Sequence, residues 1–163
     1  MHEIKDYLSY DPETGVFIRI QSYGRPNLCG KPLGTLSAYG YIVVWYKGKV
    51  YRAHRLAWYF VYGEFPENFI DHINENKIDN RIVNLREATD AQNKTNISTP
   101  PATNKSGFLG VSWCKCAKKW RAQLRVDGVY NYLGIFDDPV EAHETYLTAK
   151  RTLHPFWQEH KNV

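Results

Sequence analysis

The chain has 163 residues, 43% hydrophobic and 15% aromatic, enough to bury one or two small cores. Its formal charge of +4 is mild and unevenly spread, with 12 basic and 11 acidic residues up to position 96 and 9 and 6 after it, so attraction to nucleic acid is expected to be local. Cys29, Cys114 and Cys116 fall short of a four-ligand zinc pattern, no stretch approaches membrane-spanning length, and the first residues lack an apolar signal region; free thiols, no zinc, no membrane partner and no secretion are expected.

Residues 1 to about 50 read as hairpins, with turns at Asp11-Pro12-Glu13-Thr14-Gly15 and Lys47-Gly48 and a strand at Tyr41–Trp45. The apolar run from Ala53 to Val61 predicts a helix ended by Gly63, in which His54 packs in the core and Arg55 is a candidate for touching a phosphate. After Pro66, Phe69–Ile73 predicts a short strand running into a loop rich in Asn and Asp, and Leu85–Ala88 a second strand pairing back on it. Thr89 followed by Gln92 has the capping-box form that opens a helix, which puts Asn93 just past its first turn.

That strand, loop, strand and helix carry Asp71, His72, Asn84 and Asn93. A magnesium-type ion takes oxygen ligands and keeps most of its waters, so the Asp71 carboxylate and the Asn93 amide suffice to seat it against a phosphate. A histidine is the side chain that can be neutral near physiological pH and accept a proton from water, and His72 adjoins the candidate ligand. Asn74, Asn76 and Asp79 do not make a calcium loop, because the glycine and terminal glutamate it needs are missing.

The segment from His54-Arg55-Leu56-Ala57-Trp58 through Ile70-Asp71-His72-Ile73, Asn80-Arg81-Ile82-Val83-Asn84-Leu85-Arg86 and Gln92-Asn93 resembles the HNH endonucleases of the phage and homing type. The resemblance implies a β-β-α metal finger over about 68–97, His72 as general base, Asp71 and Asn93 as ligands of Mg2+ or Mn2+, and Asn84 as the amide that braces the loop and orients the histidine. The last family position is often histidine; the asparagine at 93 is a variant of the subgroup. Arg81, within the motif, joins Arg55 as a candidate DNA contact.

Ser98–Asn104 is rich in Pro, Ser and Thr and is expected to be an extended linker. Beyond it, Ser106–Val111, Lys119–Val126 and Tyr132–Phe136 predict three strands with a hairpin turn at Asp127-Gly128, and Asp138, Pro139 and Glu141 open a helix in which Ala142, Tyr146, Ala149 and Leu153 recur at helical spacing. Alternation along the second strand points Trp120, Ala122 and Leu124 toward that helix and Arg121, Gln123 and Arg125 away from it. From 105 to 126 there are six Lys or Arg and no acid, a face of the kind that a DNA major groove admits.

The motifs Gly110-Val111, Trp120-Arg121-Ala122, Tyr132-Leu133-Gly134-Ile135-Phe136 and Glu141-Ala142 resemble the AP2 DNA-binding domain over residues 106 to about 153. The resemblance implies DNA contacts from Gln123, Arg125, Tyr130 and Tyr132, while Lys115, Lys118 and Arg121 supply positive charge beside them. Leu109, Ser112 and Cys114 stand where arginines are common in plant members, which leaves the base preference open.

The expectation is an α+β chain of two domains: an HNH nuclease over 1–97, a linker over 98–105 and an AP2-like domain over 106–163. It would be a metal-dependent endonuclease acting on double-stranded DNA, leaving a 5′ phosphate and a 3′ hydroxyl. One site cuts one strand, so a break in both strands calls for a homodimer or successive nicking. The implied location is the cytoplasm of a bacterial host, with a phage gene among the origins. The alternative is a regulator that binds DNA through the same fold without cutting it.

Overall fold

The computed structural model describes residues 3–21, 26–126, 128–154 and 156–157. The chain is α+β and divides into two compact units, residues 1–89 and 90–163. The division falls at Thr89/Asp90, ahead of the 97/98 boundary expected from sequence.

The first unit opens with helix α1 (Glu3–Tyr7), which the sequence did not announce, running straight into β1 (Leu8–Tyr10). An antiparallel sheet joins β1, β2 (Phe17–Arg19) and β3 (Pro32–Leu33). The turn between β1 and β2 is the expected one: the Asp11 carboxylate accepts from the Glu13 backbone N–H at 2.9 Å and the Thr14 hydroxyl at 2.7 Å. Gly15 closes it at φ +74, and a Cβ there would lie 2.5 Å from the Arg81 nitrogen. Glycine is therefore required both by conformation and by close backbone approach.

A second antiparallel sheet holds β4 (Thr35–Leu36), β5 (Ile42–Tyr46) and β6 (Lys49–Arg52), with Lys47-Gly48 as a two-residue turn in which both residues have positive φ. Alternation sets Val44 in the core and Trp45 in solvent. From β6 the chain enters α2 (Ala53–Tyr62), ended by Gly63 in the left-handed conformation, its N–H donating to the Tyr59 carbonyl at 3.0 Å. Leu56, Ala57 and Tyr59 of α2 pack with Ile4, Leu8, Phe17 and Val44, and the two finger strands add Ile70 and Leu85 to the same core. Those strands are β7 (Phe69–His72) and β8 (Leu85–Ala88), paired antiparallel with Asp71 opposite Arg86 and His72 opposite Leu85.

The second unit begins with α3 (Asp90–Thr95) and carries an antiparallel sheet in the order β11 (Val129–Phe136), β10 (Lys119–Val126), β9 (Val111–Cys114), covered by α4 (Pro139–Leu153). Asp138 caps α4 by accepting from the Val140 N–H at 2.9 Å, and Pro139 occupies its first turn. Val111, Ala122 and Ala142 form the centre, with Phe108, Trp120, Leu133 and Phe136 packed around it.

Two expectations are corrected here. The first strand of this sheet is Val111–Cys114, not Ser106–Val111, because Gly107 and Gly110 both hold positive φ and the Ser106 hydroxyl closes the loop by donating to the Val111 carbonyl at 2.9 Å. The 98–105 segment is not extended throughout: Asn104 N–H donates to the Pro101 carbonyl at 2.8 Å and the Asn104 side chain donates to the Phe108 carbonyl at 2.8 Å. In the expected Asp127-Gly128 turn, Asp127 lies outside the described residues. All three cysteines are free thiols, and among the described residues no helix is long and apolar enough to cross a membrane.

Candidate active site

The finger places its chemistry at the exit of β7. Asp71 and His72 are adjacent on a strand yet both are buried, at 6% and 5% exposure. The Asp71 side chain is gripped by Arg86, its cross-strand partner, whose Nε and Nη2 both lie 2.9 Å from Oδ2. Pairing across the ladder thus fixes the carboxylate rotamer from the neighbouring strand.

His72 is oriented by Asn80, whose Oδ1 lies 3.4 Å from Nε2. The Asn80 amide nitrogen donates to the Ile78 carbonyl at 3.1 Å, which turns the amide oxygen toward the ring. A neutral His72 facing that oxygen carries its proton on Nε2, leaving the lone pair on Nδ1. Burial pushes the His72 pKa below its ordinary value and the Lys77 charge pushes the same way, opposed by the Asn80 bond and by Asp71 and Asp79. The neutral, proton-accepting form is the one the site favours.

Asn84 is buried and uses both ends of its amide. Oδ1 accepts from the Asn74 N–H at 3.0 Å and Nδ2 donates to the Asp79 carbonyl at 2.8 Å, so this side chain at the far end of the loop between the strands ties down its start and its middle. The Asp79 carboxylate accepts from Asn74 Nδ2 at 2.8 Å and from Arg81 Nε and Nη2 at 2.8 and 2.6 Å; mainly through Arg81, its pKa is held down at about 2. The first hairpin supports the loop from below, with the Tyr10 hydroxyl donating to the Asn80 carbonyl at 2.7 Å and Ile82 N–H to the Pro12 carbonyl at 3.1 Å.

Sequence reasoning did not foresee the ring cluster around His72. The buried His54 ring meets His72 edge to face at 5.1 Å between centroids, and Tyr41 lies 5.2 Å from His54 and 6.1 Å from His72. Burial, then the positive charges near it, lowers the His54 pKa to about 3, which keeps this second imidazole neutral, in line with the packing role expected for it. The signal in the sequence was Tyr41 and His54 themselves, but nothing local says that the residue leading into β5 and the start of α2 converge on β7.

The remaining expected residues are distributed as follows. Arg55, a candidate phosphate contact, donates from Nη1 to the Asn68 carbonyl at 2.9 Å and from Nη2 to the Pro66 carbonyl at 2.8 Å, which is the work of a staple on the chain leading into β7. Arg81 is exposed while paired with Asp79. Asn93 is half-buried in α3 of the second unit. On β10 and β11, Gln123 pairs with Tyr132 and Arg125 with Tyr130, and the Arg125 guanidinium lies 5.3 Å from the Tyr130 ring centroid. A bulge between Ala122 and Gln123 gives Leu133 to the core while both tyrosines stay more than 60% exposed. Lys115 and Lys118 are exposed, and Arg121 Nη2 donates to the Ser112 hydroxyl at 3.3 Å.

The Asp71 carboxylate is an oxygen donor of the kind that suits a hard ion retaining water, and it is held here by Arg86; among the described residues no three of His, Cys, Asp and Glu converge as a protein cage.

Residues 51–95 match the family described as HNH endonuclease. Over 81 residues it is 36% identical to Protein 3.8 of Escherichia phage T7, an alignment that takes in 49% of this chain and 66% of that protein. A solved structure, of DNA binding and cleavage by the HNH homing endonuclease I-HmuI, aligns over 57% of this chain and 54% of its own, at 28% identity and a TM-score of 0.42. The chain thus spans just under two thirds of the phage protein and about half of I-HmuI.

Proposed function

We propose that the protein is a metal-dependent DNA endonuclease, and the observation that carries this is His72, buried and held by an amide beside a fixed carboxylate, inside a segment matching the HNH endonucleases. His72 takes a proton from a water, the water oxygen bonds to phosphorus, and the bond to the 3′ oxygen breaks; the leaving oxygen takes a proton from solvent water, giving a 5′ phosphate and a 3′ hydroxyl. Asp71 and Asn93 would hold the divalent ion, magnesium or manganese, whose charge when bound stabilises the leaving oxygen. Each removes an oxygen ligand if replaced, so Asp71→Ala and Asn93→Ala should each raise the metal concentration at which cleavage is half-maximal. Unchanged magnesium and manganese titrations in both variants would refute the ligand pair.

Site selection we assign to the second unit, on an AP2-like plan of three antiparallel strands and one helix. What supports it is the outward row Gln123, Arg125, Tyr130 and Tyr132, with Lys115, Lys118 and Arg121 nearby in sequence. Nuclease residues 1–97 would then cut, and 106–163 would place the cut on double-stranded DNA, within the cytoplasm of a bacterium; similarity to a T7 protein accords with a phage setting. In the full-length enzyme, Gln123→Ala or Arg125→Ala should relax preference at one or two base pairs by about 1–3 kcal/mol each, whereas Lys118→Ala weakens all sequences alike. Selection of cleavage sites from random DNA measures this, and unaltered preference in both variants would move targeting elsewhere in the chain.

A further inference from the structure

Two cations stand on one ring beside the candidate base. Arg52, exposed at the end of β6, has its guanidinium carbon 5.0 Å from the Tyr41 ring centroid, and the ammonium of Lys77, exposed in the finger loop, lies 5.0 Å from the same centroid. The Lys77 Nζ also lies 3.5 Å from the Tyr39 carbonyl, so backbone and ring together hold it. Among the described residues neither cation has a carboxylate partner, unlike Arg81, Arg86, Lys47 and Lys119, each of which has one. Tyr41 itself contacts both imidazoles of the cluster.

Like charges gathered on one ring repel each other and gain from an anion placed between them and solvent. A guanidinium presents a planar fork that suits phosphate oxygens, and an ammonium supplies a point charge.

We propose that Arg52 and Lys77, held on Tyr41, form a backbone-phosphate subsite that seats the DNA strand next to the bond His72 acts upon. The subsite rests on the nuclease reading above and extends it: contacts on this unit position the strand without reading bases.

The test uses full-length protein carrying Arg52→Gln, Lys77→Gln, both together, or Arg52→Lys, with Lys31→Gln as an exposed-lysine control. Binding of a fluorescent 30-base-pair duplex is measured by anisotropy across a salt series without divalent metal, and plasmid cleavage by each variant with magnesium. Neutralising one phosphate contact should reduce the slope of log affinity against log salt by about 0.9, and both by about twice that. Arg52→Lys should retain the slope, KM should rise in the double variant with kcat little changed, and Lys31→Gln should leave all of these as in the wild type. An unchanged slope in the double variant, or an equal drop in Lys31→Gln, overturns the subsite. A wild type that binds DNA but cleaves no plasmid with any divalent ion refutes the nuclease reading instead, and the slopes still decide on the subsite. Glutamine keeps the length and polarity of both side chains, and circular dichroism of each variant separates a lost fold from a lost contact.

Discussion

His72→Ala should lose at least about 10²-fold of the cleavage rate, the usual contribution of a positioned general base, while binding DNA nearly as well as the wild type. The reason is that a base acts on the chemical step, whereas docking is assigned above to cations elsewhere. The pH profile carries the sign of the same claim. Burial lowers the His72 pKa, so protonation, which abolishes its basicity, sets in only below the ordinary histidine range. The wild-type rate should therefore rise with pH through a midpoint under about 6.5 and hold level above it, and this acid limb should be missing from the residual activity of the variant. Single-turnover cleavage from pH 4.5 to 8 measures both. A variant cutting at near wild-type rate sinks the assignment.

Asn84→Ala should be the most damaging substitution in the finger that removes no reacting group. It strips a buried amide whose two ends hold the Asn74 N–H and the Asp79 carbonyl, and a buried polar group left unsatisfied costs about 1–3 kcal/mol. Loss of both bonds should lower unfolding stability by roughly 2–5 kcal/mol. Cleavage should fall with it, since Asn80, which orients His72, rides on the same loop. Asn84→Asp keeps the acceptor for Asn74 but sets a carboxylate oxygen against the Asp79 carbonyl, so it should recover little. Denaturant unfolding alongside cleavage reports both quantities, and an Asn84→Ala protein of wild-type stability and rate would show that the loop is braced by other means.

Much of the finger was legible because its signals are local. A short apolar strand, a polar loop and a second strand follow one another in a short stretch of sequence, and the turn at Asp11–Gly15 announces itself through Asp, Pro and Gly. What escaped the sequence was long-range. The Tyr41, His54 and His72 rings come from three distant parts of the chain brought together by packing, and Arg55 looked available for phosphate because its partners, the carbonyls of Pro66 and Asn68, are backbone atoms that no side-chain pattern advertises. In the second unit the alternation along β10 was readable, but the bulge that gives Leu133 to the core is a tertiary adjustment. The misplaced first strand had a readable cause: glycines at 107 and 110, both at positive φ, end a strand pattern that their neighbours alone would continue.

The most direct measurement is incubation of the full-length protein with supercoiled plasmid, with magnesium, with manganese and with chelator. The account predicts nicked circles with either metal, none with chelator, and nicks that a DNA ligase reseals, since the ends are a 5′ phosphate and a 3′ hydroxyl. Plasmid that stays supercoiled at stoichiometric enzyme with every divalent ion, although the protein binds it, would contradict the account and leave a DNA-binding regulator built on a nuclease fold.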